Sequence, residues 1–348
     1  MQNGFTPKQL GFSFPAEWHR HKATWLSYPH NENSWPGKIE TIYPSYNLFI
    51  KELAEVEQVH INTLDDNQKQ WIEEELKKIS CNMANVFFHP FKTNDAWIRD
   101  HGPAFVLNNE EKALVNWKYN AWGGKYPADL DNLIPEQIAE YLNLTSFSPE
   151  IIMEGGSIDV NGAGDLLTTE ACLLNENRNP NLTREQIEEG LREFYGVENI
   201  LWLKDGIEGD DTDGHVDDLT RFVNEDTVLT MVEPDKNDEN YQVLQDNLQI
   251  LKKMRLANGK QPNIIELPMP AMVEYEQQRL PASYANFYIA NEKVIMPTYK
   301  CPQDDKAVQI LEQVFKDRQI IGIDSTDIIW GLGSFHCLSQ QEPELNNL

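Results

Sequence analysis

The sequence predicts an α/β protein in which about five ββαβ units close into a ring. This is a propeller with five-fold pseudo-symmetry, formed by a single domain over residues 1–348. The same element order recurs along the chain: two β-runs joined by a turn, then a helix, then one strand. Three hairpins begin at residues 157, 221 and 286, which are 64 and 65 residues apart. Segments near the two chain ends resemble two halves of one hairpin, and pairing them would remove the exposed edges of an open array.

The N-terminal part predicts alternating strands and helices. An extended run at 23–28 precedes a helical pattern near 41–56 and a strand at 59–63. A second helix at 67–79 has its apolar residues at helical spacing, and a strand at 84–89 ends this part. This pattern alone is typical of many α/β proteins.

Four hairpins then follow, at 104–117, 157–169, 221–232 and 286–298, with an earlier step of 53 residues between the first two. Their turns contain Asn-Gly, Asn-Glu-Asp or similar sequences, which suit hairpin connections. Each of the last three precedes an amphipathic helix, at about 183–195, 240–254 and 304–316. Strands at 200–203, 263–267 and 319–324 complete these units. The closing hairpin would pair 335–339 with 23–28.

Composition excludes several classes of protein. The chain has 29 Lys plus Arg against 56 Asp plus Glu, a net charge of −27, which repels nucleic acid and anionic membrane and attracts small cations. No apolar run reaches the length of a membrane span. We expect no secretory signal, because the first residues contain neither a basic leader nor an apolar stretch. Four scattered cysteines argue against a disulfide framework or structural zinc site. We expect a cytoplasmic protein, and a homo-oligomer remains open.

Each unusual polar cluster lies directly before a hairpin. The clusters are W-I-R-D-H-G-P at 97–103, M-E-G-G at 153–156, D-T-D-G-H-V-D-D at 211–218, L-P-A-S-Y-A-N at 280–286 and G-L-G-S-F-H-C at 331–337. In a closed ring, equivalent segments lie at equivalent heights around the axis. We therefore expect five loops to converge on one pocket that contains Asp100, Glu154, His215, Asp217 and Cys337.

The residue types in this pocket indicate a reaction. A thiol with its ordinary pKa of about 8.5 is mostly protonated at neutral pH, and a cationic substrate would favour the thiolate. His215 can accept and return a proton. Three carboxylates fit a planar cation, because a guanidinium presents paired N–H donors that match carboxylates bidentately. These residues predict a hydrolase that attacks a guanidinium carbon.

Six ordered motifs closely resemble those of agmatine deiminases and the related bacterial peptidyl-arginine deiminases. They are W-I-R-D-H-G-P, E-G-G, L-L-T-T-E-A-C-L-L-N-E-N-R-N-P, D-T-D-G-H-V-D, L-P-A-S-Y-A-N-F-Y-I-A-N and H-C-L-S-Q-Q-E-P, and they span nearly the whole chain. The resemblance implies a pentein-like, five-bladed ββαβ propeller. It also implies that Cys337 is the nucleophile, that Asp100 and Asp217 clamp the guanidinium, and that His215 with Glu154 handles protons.

The reaction that the resemblance implies begins with attack of the thiolate on the guanidinium carbon. Ammonia departs as His215 donates a proton, which leaves a covalent amidino-thioether. His215 then activates water to give a ureido product, N-carbamoylputrescine if the substrate is agmatine, a step of putrescine biosynthesis. No metal or organic cofactor is required.

Several alternatives stay open. Asp100 could form a structural ion pair with Arg99. His215 could be a metal ligand. Trp97 and Trp122 could be core aromatics or could wall the pocket against the substrate.

Other functions also remain. The same chemistry could act on peptidyl or free arginine, which Lys118, Lys125 or Arg178 at the pocket mouth would favour, whereas Asp210, Asp211 and Asp213 would favour agmatine. A non-catalytic binder of polyamines or guanidines is a third reading.

Two positions depart from the family pattern. Leu332 stands where the family usually has a glycine, and Asn161 and Asp165 differ from its usual D-G-x-G-T turn. Neither change removes a reacting group, but Leu332 could alter the pocket floor and the substrate range. The remaining cysteines, Cys81, Cys172 and Cys301, are interpreted as structural.

Overall fold

A computed structural model describes residues 4–345. Within this part, five small mixed sheets share one plan: an antiparallel pair of strands with one further strand added in parallel, or two in the sheet that contains β1. The strands are β1 (His21–Ser27), β2 (Gln58–Asn62), β3 (Val86–His89), β4 (Ala104–Leu107), β5 (Lys112–Val115), β6 (Thr145–Phe147), β7 (Ile158–Val160), β8 (Asp165–Thr169), β9 (Asn199–Leu203), β10 (Thr220–Asn224), β11 (Thr227–Val232), β12 (Asn263–Pro268), β13 (Glu274–Tyr275), β14 (Gln278–Arg279), β15 (Tyr288–Ile289), β16 (Lys293–Thr298), β17 (Gln319–Asp324) and β18 (Gln340–Pro343).

The longer helices connect the second and third strands of each unit, except α2, which connects β2 to the fourth strand of the first sheet, β3. The helices are α1 (Ile39–Ala54), α2 (Asp66–Lys78), α3 (Ile98–His101), α4 (Ala121–Gly124), α5 (Ile134–Leu142), α6 (Glu170–Leu173), α7 (Arg184–Tyr195), α8 (Asn240–Leu251) and α9 (Gln303–Val314). Three of them, α3, α4 and α6, are single turns. In the part of the chain from residue 4 to residue 345, no helix has the length and apolar character needed to cross a membrane.

Helix α7 shows how local sequence sets these elements. Thr183 caps its N-terminus and forms a reciprocal capping box with Gln186. The helix ends at Gly196, whose φ of 69° is the left-handed conformation that glycine adopts without steric cost. Its apolar face buries Ile187 and Leu191 in a core shared with the third sheet. Burial of each such side chain contributes about 1.5–3 kcal/mol.

The sheets follow the predicted units in chain order. Their strand orders are β18-β1-β2-β3, β4-β5-β6, β7-β8-β9, β10-β11-β12 and β15-β16-β17. Neighbouring sheets meet through their first strands, since β18 packs beside β4 and β7 beside β10. The loops that lead into these first strands therefore share one end of the ring.

The ring closes through the chain ends, but not through the residues that the sequence predicts. Strand β1 pairs with β18, with Ala23 opposite Glu342 and Trp25 opposite Gln340. The predicted partner, 335–339, forms a turn held by the Leu338 N–H donating to the Ser334 carbonyl at 3.0 Å. Its apolar side chains are buried in this turn, which is why the segment resembled a strand.

The three later units match the predicted boundaries within a few residues. The sequence reading missed the end of the second unit, where α5 and β6 follow the hairpin β4–β5. Helix α5 has only 9 residues against 12 in α7, α8 and α9, which accounts for part of the shorter step. The small hairpin β13–β14 is an insertion between the fourth and fifth units that was not predicted either.

Candidate active site

The five loops before the first strands of the sheets bring their polar side chains together. A Cβ atom built on Gly156 would lie 2.7 Å from His215 Nδ1, 2.9 Å from Asp100 Oδ1 and 3.1 Å from Asp217 Oδ2. Three side chains from distant parts of the sequence thus surround one glycine. Only a residue without a side chain permits this approach.

Cys337 lies at the end of the fifth of these loops and is 6% exposed. The amide of Asn286 donates to its Sγ at 3.0 Å, and Asp217 Oδ2 lies 3.5 Å from the sulfur. Asn286 Oδ1 accepts from the backbone N–H groups of Ser334, His336 and Cys337 at 3.1–3.3 Å. Asn286 therefore fixes both the thiol and the loop that carries it.

Asp217 presents one bound and one free oxygen. Its Oδ2 is 2.7 Å from His336 Nδ1, and the Asn286 amide donates to it at 3.3 Å. Its Oδ1 is buried without a hydrogen-bond partner among residues 4–345 and is 4.0 Å from His215 Nδ1. Burial raises the pKa of Asp217, but hydrogen bonding and the surrounding charges, first those of His336, together lower it below its ordinary value. This carboxylate is ionised and has an oxygen available for a cation.

Asp100 is fixed by two donors. Its Oδ1 accepts from Gly156 N at 2.8 Å, and its Oδ2 accepts from Trp122 Nε1 at 3.0 Å. Burial, followed by the charges of Asp217 and Glu154, raises its pKa well above the ordinary value. The alternative of an ion pair with Arg99 is wrong, because Arg99 Nε donates to the His336 carbonyl at 3.3 Å and its Nη1 to Gln341 at 2.6 Å.

His215 is fully buried, and neither ring nitrogen has a hydrogen-bond partner in the described part of the chain. Its Nδ1 lies 3.8 Å from Asp100 Oδ1. Burial is the main cause that lowers its pKa, to about 3. The imidazole is therefore neutral in the free site, which is the form that can accept a proton.

Glu154 faces Arg178 and makes no hydrogen bond to His215. Arg178 Nε donates to Glu154 Oε1 at 2.6 Å, and its Nη1 donates to Asp213 at 2.7 Å. Glu154, Cys172 and His215 each offer one ligand atom, all within 4.8 Å of one another. The guanidinium of Arg178 beside Glu154 opposes a metal cation at this position.

A cleft of about 130 Å³ leads from the surface to Cys337. Trp97 and Trp122, whose roles the sequence left open, both line this cleft. Trp97 also stacks on Trp35, with ring centroids 5.2 Å apart. Trp122 reaches the cleft from α4. Ala121 and Trp122 have left-handed φ values of 51° and 55°, a strained backbone that aims the Trp122 indole at Asp100. Both residues wall the cleft, and Trp97 is also part of the core.

Leu332 lines the same cleft and has a φ of 71°, which favours glycine. Gly331 and Gly333, on either side of Leu332, lie where no side chain would fit. A Cβ on Gly331 or Gly333 would lie 2.7 Å from a ring carbon of Trp97. Leu332 thus narrows the cleft while keeping the backbone path that a glycine would take.

Comparison with known proteins agrees with this architecture. The model of the Porphyromonas-type peptidyl-arginine deiminase family matches residues 13–343. The chain belongs to this family. It is 35% identical to an agmatine deiminase of Ectopseudomonas mendocina, over 97% of this chain and 97% of that protein.

Solved structures of the family have the same fold. An agmatine deiminase of Enterococcus faecalis, described as catalysing its reaction, superposes with a TM-score of 0.93 at 33% identity, over 99% of both chains. A cysteine-to-serine variant of the C. jejuni agmatine deiminase with substrate bound gives 0.88 at 34% identity, over 96% of both chains. The predicted family and the predicted pentein-like propeller are confirmed.

Two residues of the site were missed by sequence reasoning. Asn286 lies in the same pre-hairpin position as the other polar residues, and that position was a usable signal. Glu17, which contacts His336, comes from the segment before β1, where no motif marked it. Arg178 lies inside a quoted motif, yet it was expected at the pocket mouth and is 2% exposed.

Replacement of Gly156 by alanine tests the crowding at the site. The new methyl group forces His215 and Asp100 apart, so we expect kcat/KM for a guanidine substrate to fall about 100-fold or more. Gly322→Ala is the matched control, because its Cβ would meet only a methyl group of Thr298 at 3.0 Å in the fifth sheet. Equal kinetics for the two variants, measured by ammonia release from folded protein, would contradict the assignment.

Proposed function

We propose that this protein is an agmatine deiminase that converts agmatine and water to N-carbamoylputrescine and ammonia through a covalent amidino-cysteine. The observation that carries the proposal is the thiol of Cys337 at the base of a cleft that Asp100 also lines, with the sulfur 3.5 Å from Asp217 Oδ2 and the other oxygen of Asp217 unpartnered among the described residues. A thiol nucleophile and two carboxylates suit a planar guanidinium.

Because the site is acidic, binding of a cationic substrate would also activate the thiol. Burial, followed by the charges of Asp217, Asp218 and Asp100, raises the pKa of Cys337 well above its ordinary value. The thiol is therefore protonated in the free enzyme. A guanidinium held by Asp100 and Asp217 brings a positive charge next to the sulfur, which favours the thiolate.

The proposed reaction uses His215 twice. The proton of the thiol passes to His215 as the sulfur attacks the guanidinium carbon. His215 returns that proton to the departing nitrogen, so ammonia leaves and an amidino-thioether remains. A water molecule then gives a proton to His215 and attacks the same carbon. Collapse of that adduct breaks the C–S bond, releases the ureido product and restores the thiol.

The cleft lining favours a substrate tail that is positive. Among the residues that the structure describes, the lining includes the carboxylates of Asp95 and Asp211 and no lysine or arginine. The cationic side chains that would favour an arginine carboxylate are engaged: Lys118 pairs with Glu150, and Lys125 pairs with Asp211 at 3.2 Å. Arg178 is buried against Glu154. An ammonium tail fits these surroundings better than a carboxylate or a peptide backbone.

A substrate panel tests the proposal. We expect the purified protein to release ammonia from agmatine with a kcat/KM about 100-fold or more above those for free arginine and an arginine-containing peptide, because carboxylates at the mouth repel a carboxylate tail. Mass spectrometry should identify N-carbamoylputrescine. Faster turnover of either arginine substrate would assign the alternative deiminase activity, and calorimetric binding of agmatine without ammonia release would indicate a binding protein.

A further inference from the structure

A chain of buried side chains runs from Asp217, away from the cleft, into the centre of the ring. Asp217 Oδ2 lies 2.7 Å from His336 Nδ1, and His336 Nε2 lies 2.7 Å from Glu17 Oε2. His336 and Glu17 are 2% and 5% exposed, and neither lines the cleft. No step of the proposed reaction involves them.

The acceptors around His336 determine how many protons its ring carries. Both ring nitrogens face carboxylate oxygens, and a nitrogen without a proton cannot donate to either. Burial raises the pKa of Glu17, but the surrounding charges, first that of Arg221, lower it well below its ordinary value. Each ring nitrogen of His336 is placed to donate to a carboxylate oxygen at 2.7 Å, an arrangement that only a doubly protonated ring satisfies.

Glu17 is held rigidly for this contact. Arg221 Nη2 donates to its Oε2 at 2.7 Å, and the backbone N–H of Ile289 donates to its Oε1 at 2.7 Å. Arg99 Nη2 lies 3.7 Å away. The residue enters the ring centre from the segment before β1, and His21 Nε2 binds its backbone carbonyl at 2.7 Å. These contacts fix the carboxylate in position and charge.

Other charged and titratable groups also face this chain from the surrounding elements. They are Arg99, Asp100, Asp159, His215, Asp218, Arg221 and Cys337. Among them, Asp159 offers a useful comparison. It pairs with the same Arg221, at 3.3 Å from Nε, but makes no hydrogen bond to His336.

We propose that Glu17 is a positioning residue that keeps His336 doubly protonated and thereby holds Asp217 ionised, with its free oxygen turned toward the guanidinium. The chemical part of this role rests on the proposed function, since it assumes a cationic substrate at Asp217. The protonation state of His336 does not depend on that assumption. Removal of the Glu17 charge leaves His336 neutral, and Asp217 then binds a proton more readily.

The kinetic test is the Glu17→Gln variant. We expect the acidic limb of the kcat/KM profile for agmatine to move up by about one pH unit, because Asp217 loses the charge that favours its ionised form. The KM should rise more than kcat falls at the acid end. Asp159→Asn is the control, because it removes a carboxylate from Arg221 and leaves the His336 contacts intact. An unmoved limb in Glu17→Gln, or an equal shift in Asp159→Asn, overturns the proposal.

A second measurement needs no turnover. Ring ¹⁵N NMR at about pH 8 should show two protonated nitrogens for His336 in the wild-type protein and one in Glu17→Gln. The His336→Gln variant assigns the signal. A singly protonated ring in the wild type overturns the inference even if agmatine is a substrate. A doubly protonated ring in a protein that turns over no guanidine leaves the inference standing and rejects the proposed function.

If Glu17→Gln fails to fold, His336→Gln provides the kinetic test, because it keeps a hydrogen-bond donor but removes the charge. The same upward shift of the acidic limb is expected. A limb that stays in place counts against the proposal.

Discussion

The Cys337→Ala variant is expected to lose deiminase activity by about 10⁴-fold or more, since no other group near the cleft can form the covalent intermediate. Agmatine should still bind, because Asp100 and Asp217 are unchanged. Ammonia release gives the rate, and isothermal calorimetry gives the affinity. In the wild type, mass spectrometry of acid-quenched protein should detect the amidino adduct on the peptide that carries Cys337.

Cys301→Ser is the control for a general effect of losing a cysteine. Cys301 is half-buried and interacts with the hydroxyl of Tyr284 at 3.2 Å, outside the cleft lining. Its replacement should leave kcat/KM unchanged. Full activity in Cys337→Ala would reject the covalent mechanism, whatever the control does.

The Asp217→Asn variant has the second largest expected effect. An asparagine amide has no negative charge to pair with a guanidinium. Loss of this buried charge partner is expected to lower kcat/KM about 10²- to 10³-fold. We expect KM to rise and kcat to fall together, because the carboxylate both binds the substrate and faces the reacting centre. Steady-state kinetics on agmatine measures both constants.

Asp218→Asn provides a matched control at the next position. Burial, followed by the charges of Asp217 and Asp210, raises the pKa of Asp218 well above its ordinary value, whereas the pKa of Asp217 is lowered. Asp218 Oδ1 accepts from the Asn286 amide at 3.0 Å, a bond that an asparagine oxygen also accepts. The loss in kcat/KM should therefore stay below about tenfold. Similar losses in the two variants would contradict the different roles assigned to these neighbours.

The repeat could be predicted from the sequence because its signals are local. Hairpin turns, amphipathic helices and a spacing of 64 or 65 residues fixed the order of elements in the later units. The closing strand was placed too early, at 335–339, because a buried apolar turn and a strand have the same composition over five residues. The second unit lacked a clear helix signal because α5 is short and begins with Ile134 and Pro135.

Part of the site could also be predicted, because its residues follow the same repeat. Asp100, His215, Asp217 and Cys337 each occupy the same place relative to a hairpin, so ring symmetry alone predicts that they meet. The contacts between individual side chains within the site could not be predicted in this way. Whether Glu154 faces His215 or Arg178 depends on rotamers and on competition among buried charges, which a linear sequence does not encode in its spacing.

The pairing of β1 with β18 has a consequence for how the protein is made. The strand that completes the first sheet is synthesised long after β1, and the nucleophile directly precedes it. Until then the nascent chain exposes an open edge on β1, a hazard for association with other chains. Contacts between residues this far apart in sequence also form slowly. The reactive thiol therefore meets its acidic neighbours only when folding is nearly finished.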